Sequence, residues 1–172
     1  MIRRLLLASV LAIAATSAEA HLMQEGNATM KIAENSAFLV VSVPASALTE
    51  VDDDGDGAIS PLELEKHKDA VEQQFRDGFS ISDGANSQTR SLIWISAPHT
   101  DHQSSNPKGM DYLVVMNRVD FAIPPKKPKV TFRLFGEGPQ HDHLTLKASH
   151  GELTETAVLT SSLLDHTFFT AE

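Results

Sequence analysis

The chain has 172 residues, 23 of them acidic and 14 basic, for a net charge of −9, with eight histidines and no cysteine. An acidic chain with scattered lysines is a poor partner for nucleic acid or an anionic membrane. Without cysteine it can form no disulfide and offers no thiol for lipid attachment at a cleavage site.

The first twenty residues read as an export signal. "MIRR" is a short basic start, and "LLLASVLAIAA" is an apolar run too short to cross a bilayer comfortably. "TSAEA" then sets small residues at Ala18 and Ala20. This is the pattern of a secretory signal peptide cut after Ala20, which makes His21 the new N-terminus and the protein periplasmic or secreted. Residues 21–172 would form one domain with a core of its own, and its charge becomes −10 once Arg3, Arg4 and Glu19 are removed. The longest later apolar run, Ala37–Val43, is too short for a membrane helix, so no membrane anchor is expected in the processed chain.

The processed chain opens with two strand-like runs, "NATMKIAE" and "AFLVVSVP", joined at "ENS" as a hairpin. "PASALTEV" is long enough for a two-turn helix opened by Pro44, with Ala47, Leu48 and Val51 on one face. An acidic loop follows. After it, "PLELEKHKDAVEQQFRDG" predicts one helix with Leu64, Val71 and Phe75 on one face and Gly78 as its stop. Strands resume with "FSIS" and "SLIWISAP" on either side of a turn at "DGAN", then the long run "MDYLVVMNRVDFAI". "PPKKPK" is a stiff connector to "VTFRLFG", "HLTLKAS" and "ETAVLT". About eight short strands bounded by turn residues predict a mainly β fold, an antiparallel, Ig-like β-sandwich. The acidic loop and its helix would be inserted between the second and third strands.

The acidic loop carries the most specific pattern in the chain. An EF-hand loop supplies oxygens from positions 1, 3, 5, 7, 9 and 12, with glycine at position 6. In "DDDGDGAISPLE", residues 52–63, those positions fall on Asp52, Asp54, Asp56, Ala58 through its carbonyl, Ser60 and Glu63, with Gly57 at position 6. Calcium is a hard cation that takes six to eight oxygens in flexible geometry, which three aspartates and a bidentate glutamate satisfy. Ser60, Pro61 and Glu63 also form a helix start, although Glu63 is expected to turn to the ion rather than to cap. Asp53 and Gly55 fall at non-ligand positions. With one loop and no second, the expected role of calcium is structural, at the weak affinities of external modules.

The histidines offer a second reading. His99 and His102 lie in "HTDH", and His141 and His143 lie in "HDH", where an extended chain would aim both at one face. His21, as a free N-terminus, could chelate copper with its amine and ring. A nickel, copper or zinc site built from these residues is the alternative to calcium, and an exported enzyme is a further one. No nucleophile elbow, H-E-x-x-H or phosphate loop occurs, so no hydrolytic or transfer chemistry is signalled and the protein is not expected to be an enzyme.

The order of these features resembles the exported N-terminal domain of HupE/UreJ-type membrane proteins, which are linked with hydrogenase and urease accessory functions. It is also similar to small stand-alone exported EF-hand proteins of bacteria. The resemblance rests on the early strands of "FLVVSVPASAL", the "DDDGDGAISPLELE" loop, "FSISDG" and the late strands around "VTFRLFGEGPQHDHLTLKA". It implies a bacterial periplasmic β-sandwich with one calcium loop, near metal handling. No counterpart of the membrane half that would carry nickel transport is expected. The expectation is therefore a calcium-binding accessory or interaction domain acting with an unknown protein partner.

Overall fold

The computed structural model describes residues 24–96 and 109–170. The chain is mainly β. Strands β1 (Asn27–Ala33) and β2 (Ser36–Pro44) form the expected hairpin. Two helices follow, α1 (Pro61–Lys66) and α2 (Lys68–Gly78), and then β3 (Phe79–Ser82), β4 (Gln88–Ser96), β5 (Tyr112–Phe121), β6 (Lys129–Phe132), β7 (His143–His150), β8 (Leu153–Thr160) and β9 (Asp165–Thr167). Six strands make one sheet in the order β4-β5-β2-β1-β7-β8, and three make a second in the order β3-β6-β9.

The two sheets share one core because their strands alternate. Ala28, Met30 and Ile32 of β1 are buried, while Thr29 and Lys31 between them are exposed. Leu39, Val41 and Val43 of β2, Leu113 and Val115 of β5 and Leu144 and Leu146 of β7 continue that inward face. The smaller sheet answers with Phe79, Ile81, Val130 and Phe132, and all of these belong to one buried cluster with Val71 and Phe75 of α2. Burying a side chain of this size contributes about 1.5–3 kcal/mol. The outer face of the large sheet is less polar than alternation requires. Trp94 pairs with Met116 and Leu92 with Arg118, whose guanidinium lies 5.2 Å from the Phe38 ring centre. Phe38, Leu92, Trp94 and Met116 are all exposed.

Three expectations change. The sheet is not wholly antiparallel, since β1 runs parallel to β7 from Asn27↔Thr145 to Ile32↔His150. The expected "DGAN" turn is present, and it carries the chain from β3 in the small sheet to β4 in the large one. The single predicted helix is broken at His67, whose backbone (φ −106°, ψ 14°) leaves the helical region between α1 and α2. The two-turn helix before the acidic loop is absent. Only a 3₁₀ turn, Ala45–Ala47, forms there, and Leu48 is already extended. Eight residues gain little from helix nucleation. Leu48 and Val51 are instead drawn into the core, and Ala45 N donates to the Asp111 carbonyl just before β5. The strand β9 was not foreseen. No helix among the described residues is long and apolar enough to cross a membrane. The predicted leader, residues 1–20, lies outside the described residues.

Candidate metal centre

The acidic loop is shaped by its own amides. Asp52 accepts from Gly55 N at 2.8 Å with one oxygen and from Gly57 N at 2.8 Å with the other. Asp54 accepts from Asp56 N at 3.2 Å, and Asp56 from Ala58 N at 2.9 Å. Such local side-chain bonds are what Asp offers in turns. They require the positive φ that Gly55 (+74°) and Gly57 (+85°) adopt without strain.

Glu63 closes the loop. Ser60 caps α1 by accepting from Glu63 N at 3.2 Å, and Glu63 returns the bond by accepting from Ser60 N at 2.8 Å. Its other oxygen accepts from Asp53 N at 2.8 Å. The expectation that Glu63 would leave the cap is therefore not met: both carboxylate oxygens are held by backbone amides, and the side chain is buried.

These bonds gather Asp52, Asp54 and Glu63. Each offers a carboxylate oxygen, and the three atoms lie within 4.8 Å of one another, close enough to hold a metal ion. Among the described residues this is the one group of three His, Cys, Asp or Glu so placed. Asp56, Ala58 and Ser60 lie in the same loop, where one Asp56 carboxylate oxygen accepts from Ala58 N and the Ser60 hydroxyl accepts from Glu63 N.

The charges differ in comfort. The Gly57 amide, helped by those of Gly55 and Asp56, holds the Asp52 carboxyl below its ordinary range. The Ser60 amide and hydroxyl, with the Asp53 amide, do the same for Glu63. Asp54 goes the other way. The Asp56 amide favours its ionised form, but loss of solvent and the charges of Asp56 and Glu63 outweigh it and raise the carboxyl.

Several supporting residues were not legible in advance. Asp53, a non-ligand position, is pinned to the helices by Lys66 Nζ at 2.6 Å and His67 Nε2 at 3.0 Å, so the helix break delivers His67 to the loop. In place of an entering helix, Gln74 of α2 holds the chain ahead of the loop: it accepts from Thr49 N at 2.8 Å and donates to the Thr49 carbonyl at 2.9 Å. Ile59 makes a two-way backbone bridge to Met110, both bonds 2.9 Å long. That bridge needs Gly109, where a Cβ would sit 2.8 Å from the Ile59 carbonyl.

Among the described residues, no three histidine or acidic groups that include a histidine are gathered closely enough to hold an ion. His21, His99 and His102 lie outside the described residues. His141 precedes β7 rather than lying in it, so it and His143 do not share a strand face. His141 Nε2 is 2.9 Å from Glu25 Oε1, and His143 Nδ1 is 2.9 Å from Asp142 Oδ1. Each ring thus has its own carboxylate. Compared with known protein families and with curated proteins, the chain matches none.

Proposed function

We propose that residues 52–63 bind one calcium ion and that the protein is an exported, non-enzymatic accessory or interaction module whose shape the ion fixes. The observation that carries this reading is the convergence of Asp52, Asp54 and Glu63 oxygens within 4.8 Å. The donor set is all oxygen, which suits a hard cation, and the loop spacing with glycine at position 6 favours calcium over magnesium. Asp56, the Ala58 carbonyl and Ser60 would complete the shell. The affinity expected of an external module is on the order of 0.1–1 mM. The apolar side chains exposed on the outer face of the large sheet, Trp94 and Met116 among them, support the interaction part of the reading.

The deciding experiment is a calorimetric titration of calcium into chelator-treated protein, with Glu63→Gln as control. Glutamine can still serve a capping box but lacks the charge. One site per chain, lost in Glu63→Gln, is the expected result. No heat of binding would overturn the proposal. Tighter binding of nickel or copper in the same cell would move the function to the histidines.

A further inference from the structure

The six-stranded sheet has one face on the core and one turned away from it. On the outer face, side chains sort by kind across the strands. Leu92 and Trp94 of β4, Met116 of β5 and Phe38 of β2 stand there, each with 40% or more of its surface open to solvent. Pairing sets them side by side. Trp94 is opposite Met116, which is opposite Val40, and Leu92 is opposite Arg118, which is opposite Phe38. Contiguous exposed apolar surface of this kind marks interaction sites. The next strands change character. Beside Phe38 stands Lys31 of β1, beside Val40 stands Thr29, and beside Thr29 stands Lys147 of β7. Both lysines are exposed. Among the described residues, the outward strand positions carry the cations Lys31, Arg118 and Lys147 and one carboxylate, Asp120, which Arg118 Nε holds at 2.8 Å. A chain of net charge −9 thus presents one face that is apolar on one half and cationic on the other.

We infer that this face docks an amphipathic helix of a partner protein, one whose apolar stripe is flanked on one side by acidic side chains. The inference rests on the reading of the protein as an interaction module, and it names the partner's chemistry. Strands stand about 4.8 Å apart and a helix with its side chains is about 10–12 Å across. A helix lying along β5 would therefore cover Trp94, Met116 and Phe38 with its stripe and carry its acidic flank over Lys31, with Lys147 one strand further. Burial of the apolar half drives the association. The charges set the orientation of the helix and reject a basic partner. A second copy of this chain fits less well, because this face would offer it no carboxylate except Asp120, which Arg118 already holds. An anionic bilayer would meet the two lysines but also the repulsion of a chain that is acidic as a whole.

Trp94 is the only tryptophan in the chain, so its emission reports on this face alone. The test titrates the intact protein, at fixed ionic strength and with calcium present or chelated, with a helical peptide of about four turns. The peptide carries leucines along one face and glutamates along one flank, and a twin carries lysines in place of the glutamates. A saturable blue shift with the glutamate peptide is expected, with a dissociation constant below about 100 μM, and at least tenfold weaker binding of the lysine peptide. Lys31→Glu with Lys147→Glu, a change at two exposed positions, should reverse that preference. Leu92→Ser should weaken both peptides several-fold. Overturning results are no saturation by about 1 mM, equal binding of the two peptides, or an unchanged preference in the charge-reversed variant. A blue shift that grows with protein concentration alone would overturn the inference in favour of a second copy. A tighter response to phosphatidylglycerol vesicles than to the glutamate peptide would overturn it in favour of a membrane. Any of these results with the calcium site intact strikes this inference alone, whereas loss of calcium binding with peptide binding intact strikes only the reading of the acidic loop.

Discussion

Asp120 on β5 accepts from the Ser36 hydroxyl at 2.6 Å and from Arg118 Nε at 2.8 Å. Those bonds, the Ser36 one foremost, with a contribution from Ser91, lower its carboxyl from 3.8 to about 2. The folded-state value lies below the unfolded one, so the ionised group adds stability above pH 3.8 and that stability is lost as pH falls toward 2. Melting temperature measured across this window should fall more steeply in the native protein than in Asp120→Asn, with the two curves parallel at neutral pH. Equal slopes in acid would dismiss the effect. Gly109 is the second position where one residue decides. Its φ is +145°, and any side chain there would press on the Ile59 and Ser60 backbone. Gly109→Ala should cost about 1–3 kcal/mol, the usual range for a residue forced into such backbone, and should weaken calcium binding as well. A variant that melts with the native protein and binds calcium equally would mean that the Ile59–Met110 bridge does not shape the loop.

At the scale of elements, what was legible in the sequence is what is local. The Ser60–Pro61–Glu63 helix start and the β1–β2 hairpin are local patterns, and each forms where the sequence places it. The break at His67 was invisible because the partner its ring meets, Asp53, lies 14 positions away across the loop. The missing helix ahead of the loop has a tertiary cause too: Gln74 satisfies the Thr49 amide and carbonyl that a helix would have used, and Val51 is fully buried. Strand existence was readable from residue type, but strand partnership was not. Nothing in "FSIS" or "SLIWIS" says that the two runs belong to different sheets. Glu25, now the partner of His141, sits in an unremarkable stretch whose importance comes only from a chain segment more than a hundred positions later.

For the whole molecule, the acidic loop is a tie between parts. Its Ile59 bridges to Met110 ahead of β5, its Asp53 holds Lys66 and His67, and the segment before it is clamped by α2. An ion that neutralises the three carboxylates would therefore tighten the large sheet and both helices together. Chelation should lower the melting temperature by several degrees, since about 1 kcal/mol corresponds to roughly 2–4 °C in a chain of this size. Unchanged melts in calcium and in chelator would leave the ion without a structural role.

The parallel pairing of β1 and β7 has a consequence in time. β1 lies inside the large sheet, yet its two neighbours come from opposite ends of the chain: β2 follows at once, whereas each β7 partner stands 118 positions later, as Thr145 does from Asn27. During synthesis the first hairpin must therefore wait with one edge unpaired until nearly the whole chain has been delivered. Closing so long a loop is slow, and an open edge invites pairing with other chains in the interval. The vulnerable species is the nascent chain before residues 143–150 arrive, and a holding factor or delayed folding would matter most at that stage.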